Sequence, residues 1–366
     1  MLPLRVRAGR PRPPAPATTT SSEAALSVVL VTGGAGYVGS HAVKALVAGG
    51  ARVIVYDNLS AGHREAVEAV AAATRGSGGT VSLVEGDVRD TARVEQALRT
   101  HGVSAVMHFA AWLSVGDSVR DPAGYYRNNV VGTLSVLEAM TAARVGQFVF
   151  SSTCAVFGHP EETPIPETHP TRPINAYGQT KLAIEQALPH FELAYGLRWV
   201  ALRYFNAAGA DPEGVIGEDH APEIHLIPRA IAAAAGRGSL EVFGNDYDTP
   251  DGTCLRDYVH VADLAQAHVR ALRWLEDGRP SNTFTLGNGR PHSVLEVIRT
   301  VEDVTGARVA FRFAARRAGD PAALCASNAR IRDVLGWRPR HTDLRTIVET
   351  AWGWHKRHPH GYSSRS

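Results

Sequence analysis

Cysteine is scarce. Cys154, Cys254 and Cys325 are the only three in 366 residues, they lie far apart, and none forms a CxxC pair. This argues against a disulfide framework and a cysteine-based zinc site, and it suits a reducing cytoplasm. Metal ligation by His355, His358 and His360 lacks a nearby carboxylate or cysteine partner in sequence, so no metal is expected. The chain has no run of about 18 apolar residues, so no membrane-spanning helix is expected. It also lacks the apolar stretch of a signal peptide, because "PRPPAPATTTSSEA" stands where that stretch would be. No internal repeat is visible. Acid is absent from residues 1–20, which hold Arg5, Arg7, Arg10 and Arg12. The formal net charge is +2, and removing this basic tail leaves a body at −2, which carries no electrostatic footprint for nucleic acid. With so few apolar side chains, residues 1–26 are expected to be a disordered extension or a mis-assigned start. The basic end, residues 358–366, is expected to be a flexible tail.

What is present is an alternation of strands and helices. Apolar, β-branched runs occur at 28–32, 52–56, 81–85, 105–109, 147–151 and 198–204. Patterns with helical spacing separate them, such as Val38, Ala42, Val43, Leu46 and Val47. The strands are almost wholly apolar, as in a parallel sheet covered on both faces. The rhythm predicts an α/β fold, a Rossmann-like doubly wound parallel sheet over 27–205. After Phe205 the texture changes to long Gly/Pro/Asp-rich loops, with helices near 261–276, 293–304 and 342–356 and short strands near 282–286 and 309–313. Loops of this length in a compact domain are usually functional. Residues 206–357 are therefore expected to form mainly a smaller α/β substrate-binding domain, with some segments returning to the first sheet.

"TGGAGYVGS" places Gly33, Gly36 and Gly39 between the first strand and first helix. The first glycine permits a tight turn, the second lets backbone approach a pyrophosphate, and the third lets helix and sheet pack closely. The helix N-terminus then offers free N–H groups to phosphates. Asp57 ends the second strand, 18 residues after Gly39. It can accept hydrogen bonds from both adenosine ribose hydroxyls and would repel a 2′-phosphate, which favours NAD over NADP; otherwise it caps the next helix. In "GDVRD", Asp87 either reaches the adenine or is a solvated turn aspartate. Tyr177 and Lys181 in "YGQTK" share one helix face. An ammonium beside a phenol lowers the phenol pKa from about 10 toward neutrality, NAD⁺ would push the same way, and together they make it a usable general base. The strand end "QFVFSSTCAVFG" carries three hydroxyls in a row, read either as loop chemistry or as groups facing a ligand.

Taken together, "VTGGAGYVGSH", "YDNLSAGH", "SSTCAVFG", "AYGQTKLAIEQ", "LRYFNAAGADPEG" and "FGNDYDTPDGTCLRDYVHVADLA" resemble the extended short-chain dehydrogenase/reductases, and within them the UDP-glucose 4-epimerase family. The similarity runs from Val28 to about Trp354. It implies the following mechanism. Tyr177 removes the proton of a sugar C4 hydroxyl, hydride passes to tightly bound NAD, the 4-keto sugar turns its other face, and hydride returns. Thr153, where the family generally has Ser, would hydrogen-bond the 4-oxygen, and Lys181 would also hold the nicotinamide ribose. The resemblance also implies cofactor contacts from Tyr37, Val38, Asn58, Val88, Phe109, Ala110, Ala111, Asn128 and Phe205. UDP-sugar contacts would come from Asn206, His225, Leu226, Arg256, Arg317 and Asp320, with Val242 and Phe243 flanking the uracil. Leu324 matches the position that sets room around the sugar, where a small residue would admit N-acetylated sugars. Leu113 stands where many members carry Lys.

Three other readings compete. One is a 4-epimerase for another UDP-sugar (UDP-N-acetylglucosamine, UDP-xylose or UDP-glucuronate). Another is a nucleotide-sugar dehydratase, which usually has Asp-Glu after the Thr, where this chain has Cys154-Ala155. The last is a non-catalytic NAD-binding protein, which would lack Tyr177 or Lys181. Galactose metabolism, a cytoplasmic location, no membrane or nucleic-acid partner, and a homodimer are expected from the family.

Overall fold

The computed structural model describes residues 27–317 and 320–362. The expected disorder of residues 1–26 concerns residues outside that range. Among the described residues, thirteen strands are numbered in chain order. β1 (Val28–Thr32), β2 (Arg52–Asp57), β3 (Thr80–Glu85), β4 (Ala105–His108), β5 (Gln147–Thr153), β6 (Arg198–Tyr204) and β10 (Asn282–Leu286) form a seven-stranded sheet in the order β3-β2-β1-β4-β5-β6-β10. Every neighbouring pair is parallel. The order reverses between β1 and β4, the place where such sheets bind nucleotides at the carboxyl ends of their strands.

Side-chain alternation explains the nearly continuous apolar runs. Val29, Val31, Val53, Val55 and Val149 enter one core, while Leu30, Ile54, Tyr56, Phe148 and Phe150 enter the other. Both faces are covered, so no polar face survives in these strands. The helix Val261–Glu276 packs against the helix Tyr37–Ala48, and β10 pairs with β6. Both segments from the second half of the chain thus complete the first sheet.

The remaining strands are short. β9 (Leu255–His260) pairs with β7 (Asn206–Ala208), β11 (Pro291–Ser293) and β13 (Ala323–Leu324). β8 (Leu240–Phe243) pairs with β12 (Phe311–Ala314). A third core, including Ile231, Val242, Val297 and Ile347, holds this region together. A small apolar cluster of Val156, Phe157, Ile165, Leu182, Phe205 and Ala326 sits under the C-terminal end of β5.

The described part of the expected tail, residues 358–362, differs from expectation. It is packed rather than free. The His358 ring stacks on Trp354 at 4.8 Å, and the Tyr362 hydroxyl bonds Gly217 while its N–H donates to Asp219. Trp354 is fully buried, and an aromatic lid over it offsets the entropy of ordering this polar segment.

Candidate active site

The glycine turn follows β1. Gly33 has φ +70°, and a Cβ there would lie 2.5 Å from the Ala110 nitrogen. A Cβ on Gly39 would lie 2.1 Å from the Gly33 oxygen. Gly36 differs: its Cβ would meet only the Gly33 oxygen, at 3.4 Å. Gly36 also caps the helix Tyr37–Ala48 with no side chain, and no acid stands in the first turn. The first N–H groups of that helix, on Tyr37, Val38 and Gly39, are therefore open for an anion. The Tyr37 hydroxyl donates to the Gly209 oxygen at 2.6 Å, so its side chain ties this turn to the loop after β7. Val38 packs into the core.

Asp57 is buried and accepts hydrogen bonds from the N–H groups of Ala35 and Leu59 at 3.0 and 2.9 Å. Burial pushes its carboxyl up, and those two N–H groups oppose the shift. Beside it, Asn58 donates to Asp87. Asp87 is bonded to Arg89, whose guanidinium holds the carboxyl well below the usual range. Val88 lies buried behind them. An uncapped helix start, an open Gly36 and a carboxylate at the tip of β2 fit a dinucleotide.

β4 continues into Phe109, Ala110 and Ala111. The N–H groups of Phe109 and Ala110 donate to the Thr32 oxygen, which fixes this backbone against the glycine turn. The Phe109 ring points inward against His268, at 4.6 Å. Asn128 sits on a π-helical turn, Tyr126–Val131, and donates to Asn129. Asn129 clamps both backbone groups of Trp112. Such wide turns often mark functional positions. Leu113 is exposed and makes no polar contact. Phe205 is buried in the apolar cluster beneath β5.

The hydroxyl row on β5 divides its tasks. Ser151 bonds the Tyr204 hydroxyl at 2.7 Å. Ser152 donates to Glu185, which also pairs with Arg203 in a buried ion pair. Thr153 ends the strand, and its Oγ1 accepts from the Ala155 N–H at 3.1 Å. Asn175 caps the helix Ala176–Tyr195 by accepting from Gly178, and so fixes Tyr177 and Lys181 on its first turns. Tyr177 is half-buried, with the Thr153 hydroxyl beside its phenol.

The electrostatics of the protein without cofactor do not by themselves produce the lowered phenol pKa. Tyr177 is not brought toward neutrality by Lys181. Burial raises its pKa well above the ordinary value, Tyr204 adds to this, and the Thr153 hydroxyl only partly opposes it. Lys181 turns instead to the Ser151 oxygen, at 2.7 Å, over the Phe150 ring. Burial pushes the ammonium itself down to about 7. The protein alone thus holds the phenol protonated. Beside Thr153, burial pushes the Cys154 thiol up to about 12, away from the thiolate a nucleophile would need.

The second half of the chain brings up the other residues. Asn206, His225, Leu226 and Tyr258 line a small cavity of about 40 Å³. Arg256 and Arg317 both approach Asp320, at 3.8 and 3.1 Å, and Arg317 lies over the Phe243 ring at 4.6 Å. Val242 could flank a base only through its backbone. Its side chain is buried in the third core, because neighbours on a strand face opposite ways, so Phe243 alone can offer a ring. Leu324 pairs with Arg256 across β13 and β9 and packs with Cys154 on the cluster beneath Thr153.

Several residues of the site escaped sequence reasoning. Tyr204 and Glu185 needed the β5–β6 register and the helix face to be seen. The grouping of Glu218, His220, Glu223 and His225 has a sequence signal, E-x-H-x-x-E-x-H within "GEDHAPEIH", but in a loop such a pattern has no periodicity that marks its side chains as convergent.

Comparison with known proteins agrees with this geometry. The model of the NAD dependent epimerase/dehydratase family matches residues 29–287. The UDP-glucose 4-epimerase of Halalkalibacterium halodurans is 49% identical over 339 residues, which is 92% of this chain and 98% of that protein. The crystal structure of UDP-glucose 4-epimerase from Brucella ovis in complex with NAD has 48% identity and a TM-score of 0.83, covering 90% of this chain and 98% of that one. The enzyme from Bifidobacterium longum, solved with NAD+ and UDP, has 38% identity and a TM-score of 0.85, covering 92% and 100%. The chain belongs to the NAD dependent epimerase/dehydratase family, on the branch of the UDP-glucose 4-epimerases.

Proposed function

We propose that this chain interconverts UDP-galactose and UDP-glucose by inverting C4 of the sugar. The observation that carries the reading is the convergence of Tyr177 and Thr153 at the carboxyl end of β5, with no acid in the following Cys154-Ala155. NAD, when bound, would supply a hydride acceptor and donor and a positive charge. Tyr177 takes the proton of the C4 hydroxyl and, once the 4-keto sugar has turned and hydride has returned to its opposite face, gives the proton back to the 4-oxygen. The Thr153 hydroxyl holds the 4-oxygen in line with Tyr177. Lys181, held by the Ser151 oxygen, orients the nicotinamide ribose and adds positive charge when protonated. Asn206 and the N-terminus of the helix Leu226–Ala234 take the sugar-nucleotide, with His225 leading into that helix. Arg256 and Arg317 pair with the diphosphate, and Asp320 takes the uridine ribose. Phe243 faces the uracil.

The absence of an acid after Thr153 disfavours a dehydratase, and the intact Tyr177–Lys181 pair disfavours a cofactor-binding protein without chemistry. Leu324, packed on the apolar cluster beneath β5, supports a second substrate class, the N-acetylated UDP-sugars, because a modest aliphatic side chain stands there. The helices Gly132–Ala143 and Ala176–Tyr195 pack together, and they leave Leu193 and Tyr195 exposed, which supports a homodimer. Three free cysteines suit the cytoplasm.

The deciding experiment incubates purified protein with UDP-galactose and no added cofactor, and resolves the products. UDP-glucose at equilibrium is expected. No conversion, even with NAD supplied, would overturn the reading. UDP-N-acetylglucosamine in a parallel tube tests the second class.

A further inference from the structure

Four chemically matched side chains gather away from the reacting hydroxyls. Glu218, His220, Glu223 and His225 bring one donor atom each within 4.8 Å of one another. The His220 Nδ1 lies 3.3 Å from a Glu218 oxygen and 3.5 Å from a Glu223 oxygen. The His225 Nδ1 is 3.6 Å from the other Glu223 oxygen and touches Glu218 Oε1. A tetrahedral zinc with bonds near 2.0–2.2 Å has ligand-to-ligand edges of about 3.3–3.6 Å. These three separations lie in the range of such edges, but Glu223 turns a different oxygen to each imidazole, so to hold one ion Glu223 must turn and the Glu218–His225 pair must open. The buried His220 Nδ1 makes no acceptable hydrogen bond despite these neighbours, so it points a lone pair or proton into the group without a partner.

The surroundings suit a fixed ion. Glu218 is buried, and Gly217 before it packs against the Trp354 ring. The Tyr37 ring meets His220 edge-on at 6.3 Å. An open cavity of about 270 Å³ reaches Glu218, His220 and Glu223 and supplies an entry path.

We propose that Glu218, His220, Glu223 and His225 form a binding site for a divalent cation, with zinc the best match to two imidazoles and two carboxylates. Four protein ligands leave no open position, so the ion is structural rather than catalytic. It pins the loop before the helix Leu226–Ala234, and it thereby holds His225 at the mouth of the small cavity lined by Asn206 and Leu226. The rival is a bare charge cluster, in which two protonated imidazoles are neutralised by two carboxylates. The two differ in proton count, since metal ligation needs neutral imidazoles and competes with acid.

The test uses untagged full-length protein, equilibrated with zinc at pH 7.5 and desalted, with metal read by mass spectrometry and affinity by chelator competition. About one zinc per chain is expected, with release toward pH 5. His220→Ala and the near-isosteric Glu223→Gln should each weaken zinc about tenfold or more, with folding checked by circular dichroism. His355→Ala and His360→Ala, which alter other nitrogen donors of the same cavity, should keep the metal. Wild-type protein without zinc, zinc unchanged in Glu223→Gln and His220→Ala, or loss that follows His355 or His360 would each overturn the proposal.

Discussion

Tyr177 holds its proton tightly in the protein alone, because burial outweighs the hydroxyl of Thr153. Proton transfer therefore rests on three groups acting together. Tyr177→Phe should lower turnover by about 10²–10⁴ while bound NAD is retained, measured by product ratio and by nucleotide released on denaturation. Thr153→Val should fall in the same direction, and Thr153→Ser should keep most activity, since the 4-oxygen needs the hydroxyl and not the methyl. Lys181 makes a separate prediction for stability. Its pKa falls from 10.5 to about 7 on folding, through burial. Between those values the unfolded chain binds a proton that the folded chain does not, so stability rises with pH across that window. Wild-type protein should gain up to about 2 kcal/mol between pH 7 and 9 relative to Lys181→Met, at matched cofactor content. Parallel pH profiles for the two in urea titrations would refute the buried, easily deprotonated lysine.

At the scale of elements, the glycine turn separates folding from binding. A methyl on Gly39 would sit 2.1 Å from the Gly33 oxygen and force the helix Tyr37–Ala48 off β1. A methyl on Gly36 meets only one atom, at 3.4 Å, and lies where a pyrophosphate would approach. Gly36→Ala should therefore keep the melting temperature of the cofactor-free protein within a few degrees yet purify without NAD. Gly39→Ala should lose several kcal/mol of stability or fail to fold. The same contrast explains what was legible in the sequence. β1, β2, β4, β5 and β6 stood out because long-range burial on both faces leaves apolar runs bounded by polar turns. The glycines, Asp57, Tyr177 and Lys181 stood out because each sits at a fixed offset from such a strand. β7, β9, β11 and β13 were not legible, since these short segments are set by pairing with one another rather than by a pattern of their own. The inward turn of Val242 needed the β8 register, which a single stretch does not reveal. Lys181's attachment to the Ser151 oxygen needed β5 and the helix placed side by side.

Across the whole molecule, the last described residues act as a brace. Tyr362 contacts Trp354 of the helix Leu344–Arg357 at 5.2 Å, the His63 ring of the loop after β2 at 4.9 Å, and the backbone of Gly217. One side chain thus joins the cofactor half to the loop that carries Glu218 and His220. Polar composition hides this, because the docking surface is the buried Trp354, far away in neither space nor sequence but invisible without the helix. Cutting the chain after Arg357 removes the His358 and Tyr362 rings from Trp354 and leaves its indole face open to water. The loss should be roughly 2–3 kcal/mol, the scale of burying one large side chain. Tyr362→Phe keeps the ring and drops only the hydroxyl bonds to Gly217, so it should cost about 1 kcal/mol. Urea midpoints for the two variants against wild type measure both values. A truncated chain as stable as the full one would mean that the docked end contributes nothing. Equal losses in both variants would place the whole effect in the hydroxyl rather than in the covered indole.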